Sequence, residues 1–320
     1  MAPMLLTVSF QTIVLAIIQI LILGAGGFWL VKRRTIDESG LNMLTRMLIS
    51  FFLPIFMFYQ FTHNFNFEDF SFWWMFPLIG LAIVAVGLLV GRIVLLFCPW
   101  IKSRREFLAL VIFQNSGYIP LILVTTLLSG EQAQRLYVYI FLVLIGFNVM
   151  MWSFGVWLLA KNKGEGLSLK NLNNPPLVAM LSSLLIIFFG WHKLIPQTIL
   201  VPVQLFSQCT LPMAMIVIGG NLALIKLEKI QLGSIALVVL TKLLLLPLVA
   251  LGIIFAFKPD ELIGLLILIE AIVPSAMTLS IIARYYQVEE KIINQGIFYS
   301  HIFSIITMPV FLMIYVNLTR

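Results

Sequence analysis

Long apolar stretches dominate the sequence, and short polar connections separate them. A helix needs about 20 mostly apolar residues to cross a lipid bilayer. Ten stretches approach or exceed that length. We therefore predict an all-α integral membrane protein with ten transmembrane helices, at residues 7–31, 44–62, 71–97, 107–128, 136–160, 175–191, 197–224, 232–257, 261–282 and 293–317.

Composition and charge agree with this prediction. Hydrophobic residues make up 61% of the 320 positions and charged residues 10%, and the mean hydropathy is +1.08. Soluble domains carry about 25% charged residues. We therefore interpret the net charge of +7 as a consequence of basic loops on one side of the membrane, and not as a sign of nucleic-acid binding. Thirteen of the 20 lysines and arginines lie in loops after odd-numbered helices and four in loops or a terminus on the opposite side. This bias predicts a multi-pass protein of the cell membrane with both termini on the non-cytoplasmic side.

The two halves of the chain resemble each other weakly. SFFLP ending at Pro54 is matched by QCTLP ending at Pro212, and NSGYIP ending at Pro120 by EAIVP ending at Pro274. Each half holds five predicted helices, so the second half starts from the opposite membrane face. Inverted repeats with interrupted helices are typical of secondary transporters, although chance matches between prolines are the alternative. The predicted parts are a first repeat at 1–160, a cytoplasmic linker at 161–174 and a second repeat at 175–320.

The stretch FQNSGYIPLI at residues 113–122 interrupts the fourth predicted helix with polar residues. Pro120 removes a backbone N–H and clashes with the preceding turn, and Gly117 loosens that turn. Broken backbone at membrane depth is tolerated only inside protein or beside a polar cavity. The fourth helix, and the ninth at Pro274, are therefore predicted to break in the protein interior. We expect Pro120 and Pro274 in the first turn of each second half-helix.

These breaks predict where a substrate binds. Each second half-helix would point its positive N-terminal end at the membrane midplane, and inverted halves bring two such ends together. An anion or a carboxylate suits helix ends of this kind. The expected substrate-binding residues are Gln114, Asn115, Ser116, Tyr118, Lys242, Glu270, Ser275 and Thr278.

Two opposite charges lie near the middle of the eighth and ninth predicted helices. Lys242 and Glu270 would each be costly at that depth if unpaired. We therefore predict an ion pair between them or an approach through water. The pair has two readings: a static structural role, or a role in which Lys242 attracts a carboxylate and Glu270 exchanges a proton or an ion. His301 in the tenth helix is a second candidate for coupling, with hydrogen-bonded helix packing as its alternative.

Six segments resemble, in order and spacing, the successive signatures of the auxin efflux carrier family, the PIN and PIN-like carriers with their bacterial relatives. They are LNMLTRMLISFFLPIFMF, QNSGYIPLIL, NPPLVAMLSS, LPMAMIVIGGNLA, KLLLLPLVA and PSAMTLSIIARYYQVEE. The resemblance covers residues 5–318. It implies two inverted five-helix bundles in which helices 4 and 9 cross at their prolines, and in which helices 1, 2, 6 and 7 form a scaffold. It also implies transport of organic anions such as auxin-like, monocarboxylic or dicarboxylic acids, and a homodimer. We predict a secondary transporter that works by an elevator-like or rocking movement of the crossing bundle, and a channel is the alternative that fits broken crossing helices less well.

Other functions fit the sequence less well. No metal-spaced cluster, phosphate-binding glycine loop or catalytic triad appears in the sequence, so we expect no enzyme, no metal and no cofactor. A sodium-coupled symporter of the bile-acid type would need several carboxylates and amides near the crossing, where Glu270 is the one deep carboxylate. A membrane sensor on a transporter scaffold would bind its ligand without moving it. The expected partners are a small organic anion and the lipid bilayer, and no nucleic acid.

Overall fold

The computed structural model describes residues 10–160, 175–225, 230–286, 288 and 290–319, and helices account for most of them. The predicted linker at 161–174 lies outside the described residues. The helices are α1 Phe10–Lys32, α2 Glu38–Asn64, α3 Met75–Phe97, α4 Arg104–Ile112, α5 Ile119–Leu127, α6 Gly130–Ala160, α7 Pro175–Phe188, α8 Gln197–Leu224, α9 Leu232–Phe257, α10 Glu261–Ile272, α11 Thr278–Tyr285 and α12 Glu290–Thr319.

Seven of the helices in the described ranges, α1, α2, α3, α6, α8, α9 and α12, are long and apolar enough to cross a membrane. Helix α7 is apolar but has 14 residues. The fourth and ninth predicted helices are each divided in two, α4 with α5 and α10 with α11. We call the intervening segments the first break, residues 113–118, and the second break, residues 273–277. The structure is thus all-helical with interrupted elements where the sequence predicted them, while the total of ten membrane passes stays a prediction.

Capping side chains explain where α2 and α10 begin. Helix α2 begins well before residue 44 because Asp37 caps its first turn, accepting a hydrogen bond from the Gly40 N–H at 2.7 Å. Helix α9 ends at Phe257, and the next residue, Lys258, adopts a left-handed conformation with φ 45°. Two residues later Asp260 caps α10 by accepting from the Leu262 N–H at 2.9 Å. This tight reversal sends α10 straight back along α9.

Glycines allow two helix pairs to approach closely. Helix α1 packs along α8, where a Cβ at Gly219 would lie 1.8 Å from the Gly24 carbonyl oxygen. Helix α3 packs along α6 in the same way, and a Cβ at Gly146 would lie 2.0 Å from the Pro77 carbonyl oxygen. Small residues at helix contacts are usual in membranes, where close backbone packing drives association.

The packing sorts the helices into two groups. Helices α1 and α2 both pack on α8, and α7 packs on α2; the other group holds α3 to α6 and α9 to α12. The groups meet where α1 contacts α5 and α12 and where α6 contacts α2 and α7. The broken helices are the innermost elements, since every residue of 107–116 and of 272–276 is buried. They are therefore shielded from lipid, as broken backbone requires.

Candidate functional site

The two breaks cross each other as short antiparallel segments. The Asn115 N–H donates to the Pro274 carbonyl at 2.8 Å, and the Ala276 N–H donates to the Phe113 carbonyl at 2.9 Å. These bonds form an isolated antiparallel bridge between Gln114 and Ser275. Each break thereby satisfies backbone groups that the other has exposed, which lipid could not do.

The two prolines do not occupy equivalent positions in this crossing. Pro120 lies in the first turn of α5, as expected. The expectation that Pro274 begins the other half-helix is wrong, because α11 begins at Thr278 and Pro274 lies within the second break. Its ring restricts the residue before it to extended backbone, and Val273 has φ −72° and ψ 149°. Pro274 therefore ends α10 rather than starting α11.

Serine side chains hold the crossing together. Ser275 is fully buried, and its hydroxyl donates to the Leu110 carbonyl of α4 at 2.7 Å. Leu110 would find its helical partner at Gln114, which has left the helix for the bridge. The Ser275 N–H donates to the Ser300 hydroxyl of α12 at 3.2 Å. Ser275 thus acts as a connector between three elements, and it lines none of the cavities described below.

Glu270 is the buried acidic group of the crossing. Its side chain has no exposure to solvent, and Oε2 accepts from Ser116 Oγ at 2.5 Å and from Gln114 Nε2 at 3.2 Å. The other oxygen, Oε1, has no hydrogen-bond partner among the described residues. The carboxyl group is therefore tied to the first break through one of its two oxygens.

Asn115 and His301 form a second buried contact. The amide Nδ2 of Asn115 lies 3.4 Å from His301 Nε2, and His301 Nδ1 lies 2.8 Å from the Ile297 carbonyl. A carbonyl only accepts hydrogen bonds, so a neutral ring carries its proton on Nδ1 and accepts at Nε2. The Asn115 amide nitrogen then donates to His301, and the Asn115 amide oxygen takes no part in this contact.

A cavity of about 330 Å³ opens beside the first break, and we call it the crossing cavity. Residues 114–118 line it, together with Thr278 at the start of α11, Asn148 and Trp152 of α6, Pro175 and Pro176 of α7, and apolar residues of α2, α6, α11 and the second break. A Cβ added at Gly117 would meet open space, so the backbone is accessible there. Its volume is in the range of cavities that hold small organic ligands.

A second cavity, the vestibule, continues from the crossing cavity. It measures about 360 Å³ and shares Tyr118 and Thr278 with the crossing cavity. Its other polar lining residues are Asn42, Thr45, Asn221, Ser280, Arg284 and Asn294. Arg284 Nη1 also forms an ion pair with Glu38 Oε1 at 3.0 Å, which joins α11 to α2 beside the vestibule.

The opposite side of the first break faces a smaller cavity of about 160 Å³, the rear cavity. Lys242, Glu270 and Gln114 line it among apolar residues of α3, α4, α9 and α10. Lys242 and Glu270 do not form an ion pair, so the prediction of a direct pair is wrong. Lys242 lies in a π-helical turn of α9, Thr241–Leu245, and its attraction to Glu270 acts across the cavity. The predicted approach through water stays a prediction.

The sequence-predicted residues are therefore divided between two sides of the crossing. Gln114, Asn115, Ser116, Tyr118 and Thr278 line the crossing cavity. Lys242 and Glu270 lie behind it, at the rear cavity, and His301 borders a separate apolar cavity of about 200 Å³ between α1, α8 and α12. No group of three or more metal-ligating side chains occurs in the described ranges.

Several lining residues were not selected from the sequence. Asn148 and Trp152 bring polar groups of α6 to the crossing cavity, and Pro175 and Pro176 close its far side. Asn148 was visible as a polar residue within an apolar helix, a signal that is shared with ordinary interhelical contacts. Nothing in the sequence indicated that Trp152 faces inward, because it lies within an apolar stretch that does not reveal which side of the helix faces the protein.

Comparison with known proteins identifies the chain at the level of a family. A profile described as membrane transport protein matches residues 12–170 and residues 164–312. No curated protein is significantly similar to the chain.

The contact of Ser275 with Leu110 predicts a large effect of a small substitution. Ser275→Ala leaves the Leu110 carbonyl buried without a donor, which should lower the free energy of unfolding by about 1–3 kcal/mol. Ser183→Ala is the matched control, since that hydroxyl is also buried but bonds at 2.6 Å to a carbonyl of its own helix, Ala179. Denaturant titration in detergent, followed by tryptophan fluorescence, measures both. Equal losses for the two variants would contradict the connecting role of Ser275.

Proposed function

The chain belongs to the membrane transport protein family, the family of the auxin efflux carriers, and on this premise we propose that it is a secondary transporter of a small organic anion. The proposed substrate is an auxin-like, monocarboxylic or dicarboxylic acid. It binds in the crossing cavity and reaches either side of the membrane by an elevator-type movement. We further propose a homodimer in the cell membrane with both termini outside, so that the vestibule opens to the cytoplasm.

One observation carries this proposal: two helices begin at the same polar cavity. Tyr118, the residue before α5, and Thr278, the first residue of α11, both line the crossing cavity. The N-terminal end of a helix carries partial positive charge, and in α11 the N–H groups of Leu279 and Ser280 already donate to the Ala276 and Met277 carbonyls. An anion in the cavity would therefore be favoured by two helix ends.

The lining residues suit a carboxylate that is bound without a fixed positive charge. Among the described residues, no lysine or arginine lines the crossing cavity. The cavity offers amides and hydroxyls as hydrogen-bond donors, from Asn115, Tyr118, Asn148 and Thr278, whereas the Ser116 hydroxyl donates to Glu270. Asn115 is 5% exposed and already positioned by His301, so it is the strongest candidate for a direct substrate contact. Arg284 in the vestibule would attract an anion on its way in.

The elevator proposal is supported by how the helices are grouped. The crossing cavity and the vestibule lie between the group of α1, α2, α7 and α8 and the group that contains the breaks. The second group can move past the first only if contacts between them exchange. The ion pair of Arg284 with Glu38 is such a contact, and it is partly exposed, with side chains 54% and 59% accessible.

Substitution of Asn115 tests the binding site. Asn115→Ala removes a side chain that reaches the cavity and should reduce uptake of the transported anion at least tenfold while the protein remains folded, because each tenfold step is about 1.4 kcal/mol, the order of one charged hydrogen bond. Asn64→Ala at the end of α2, whose amide bonds to Gln60, is the matched control. Uptake of radiolabelled malonate and indole-3-acetate into proteoliposomes, against protein-free liposomes, measures the effect.

The outcomes separate the proposed functions. Wild-type uptake that is lost in Asn115→Ala and kept in Asn64→Ala supports a carrier with its site at the crossing. Unchanged kinetics in Asn115→Ala would remove this residue from the site. Binding of an anion with no uptake in the wild type would favour the sensor.

A cross-link across the vestibule tests the movement. Glu38→Cys with Arg284→Cys, in a background of Cys98→Ala and Cys209→Ala, replaces the ion pair by two thiols that a short bifunctional reagent can join. An elevator-type carrier should lose uptake when α2 is fixed to α11, and a cleavable reagent should allow reductant to restore it. Glu131→Cys with Arg135→Cys is the control, because that ion pair lies within α6. Full uptake with Glu38→Cys and Arg284→Cys joined would contradict the movement.

A further inference from the structure

We propose that a proton travels with the anion, that Glu270 binds this proton, and that the Ser116 hydroxyl couples the two binding events. This inference rests on the proposed function, because it concerns the same cavity. It assigns the coupling ion, which neither the family nor the shape of the site specifies.

The coupling follows from a chain of two contacts. Ser116 lines the crossing cavity, and its Oγ lies 2.5 Å from Glu270 Oε2. Gln114 also lines the crossing cavity and reaches the same oxygen at 3.2 Å. Glu270 itself lines only the rear cavity among the three cavities at the crossing. The carboxyl group is therefore one hydrogen bond away from the space in which the anion would bind.

When Glu270 is ionised, the Ser116 hydroxyl is oriented unfavourably for binding an anion in the crossing cavity. A carboxylate can only accept hydrogen bonds, so Ser116 must donate its single hydroxyl hydrogen to Glu270. The hydroxyl then presents lone pairs to the crossing cavity. An anion would meet an acceptor where it needs a donor, and the negative charge of Glu270 would lie directly behind.

A proton on Glu270 reverses the direction of this hydrogen bond. The favoured position for the proton is Oε2, since Ser116 Oγ is there to accept it, whereas Oε1 has no partner among the described residues and would bury an unsatisfied donor. Once the carboxylic acid donates to Ser116, the hydroxyl hydrogen of Ser116 is released. It can then donate into the crossing cavity, to a carboxylate of the substrate.

The charges around Glu270 also favour anion binding once Glu270 is protonated. Helix α9 contributes Lys242 to the rear cavity, and α3 and α4 contribute apolar side chains. Helix α12 contributes His301, which is bonded to Asn115. Tyr139 of α6 and Tyr315 of α12 lie at the far end of α10, near Asp260 and Glu261. With Lys242 charged, the pair is neutral while Glu270 is ionised and carries one positive charge after Glu270 takes up a proton.

Proton and anion therefore favour each other's binding, and by linkage each raises the affinity for the other by the same factor. A monocarboxylate would move with one proton and no net charge. A pH gradient would then drive accumulation of the anion, at about tenfold for each pH unit, since a pH unit and a tenfold concentration ratio are both about 1.4 kcal/mol.

The experiment compares two assays on the same proteoliposomes, with radiolabelled malonate and indole-3-acetate as probes and protein-free liposomes as blank. Counterflow at equal pH measures carrier function without net proton movement. Uptake driven by an acidic outside measures coupling. We expect both in the wild type. Glu270→Gln, whose amide can donate to Ser116 as the protonated acid does, should keep counterflow and lose accumulation.

Variants of the serine test the coupling path without removing the carboxyl group. Ser116→Ala should make the affinity for the anion at least tenfold weaker at acidic pH and leave it little dependent on pH, and Ser116→Thr, which keeps a hydroxyl, should restore the dependence. Ser183→Ala is the control for loss of a buried hydroxyl, and it should match the wild type. If the anion affinity of Ser116→Ala depends on pH as in the wild type, Ser116 is not the coupling group.

The remaining outcomes distinguish the two proposals. Wild-type counterflow that a pH gradient cannot convert into accumulation would overturn the coupling and leave the carrier intact. Accumulation by Glu270→Gln equal to the wild type would exclude Glu270 as the proton site. Absence of counterflow for both probes would overturn the proposed function for these substrates, and the coupling with it. Infrared difference spectra on malonate binding give a readout independent of transport: a protonated-carboxyl band that is missing in Glu270→Gln is expected, and binding without this band contradicts the proposal.

Discussion

The hydrogen-bonded crossing of the two breaks is the constraint on which the rest of the structure depends. Backbone that leaves a helix at membrane depth needs protein partners, because lipid offers none. Here the partners are the bonds from Asn115 to Pro274 and from Ala276 to Phe113. They require the breaks to lie at one depth, antiparallel and buried. The surrounding helices therefore enclose the crossing, and the ends of four short helices converge on it.

The crossing also separates two environments. On one side the crossing cavity joins the vestibule and is lined by amides, hydroxyls and helix ends. On the other side the rear cavity holds Lys242 and Glu270 among apolar residues. Gln114 lines both cavities, and Ser116 bonds to Glu270 while lining the first. Lys242 and Glu270 thus lie outside the proposed substrate space, and Glu270 remains in contact with it through Ser116, as the proposed coupling requires.

Much of the fold could be predicted from the sequence, because strong local signals determine the helices and the first break. The all-helical class, the break around Gly117 and the position of Pro120 follow from residues that cannot continue a helix in lipid. The prediction that Pro274 begins a half-helix was wrong, because proline can either follow the end of a helix or begin one. The Lys242–Glu270 distance and the inward position of Trp152 depend on how helices are rotated against each other. Periodicity in a nearly uniform apolar sequence does not determine that rotation.

The central claim is that an anion binds between the two helix ends at the crossing cavity. A cryo-electron microscopy structure with a bound carboxylate such as malonate tests it most directly. The account predicts ligand density beside Asn115 and Ser116, at the N-terminal ends of α5 and α11. Density in the rear cavity against Lys242, or in the apolar cavity beside His301, would contradict it.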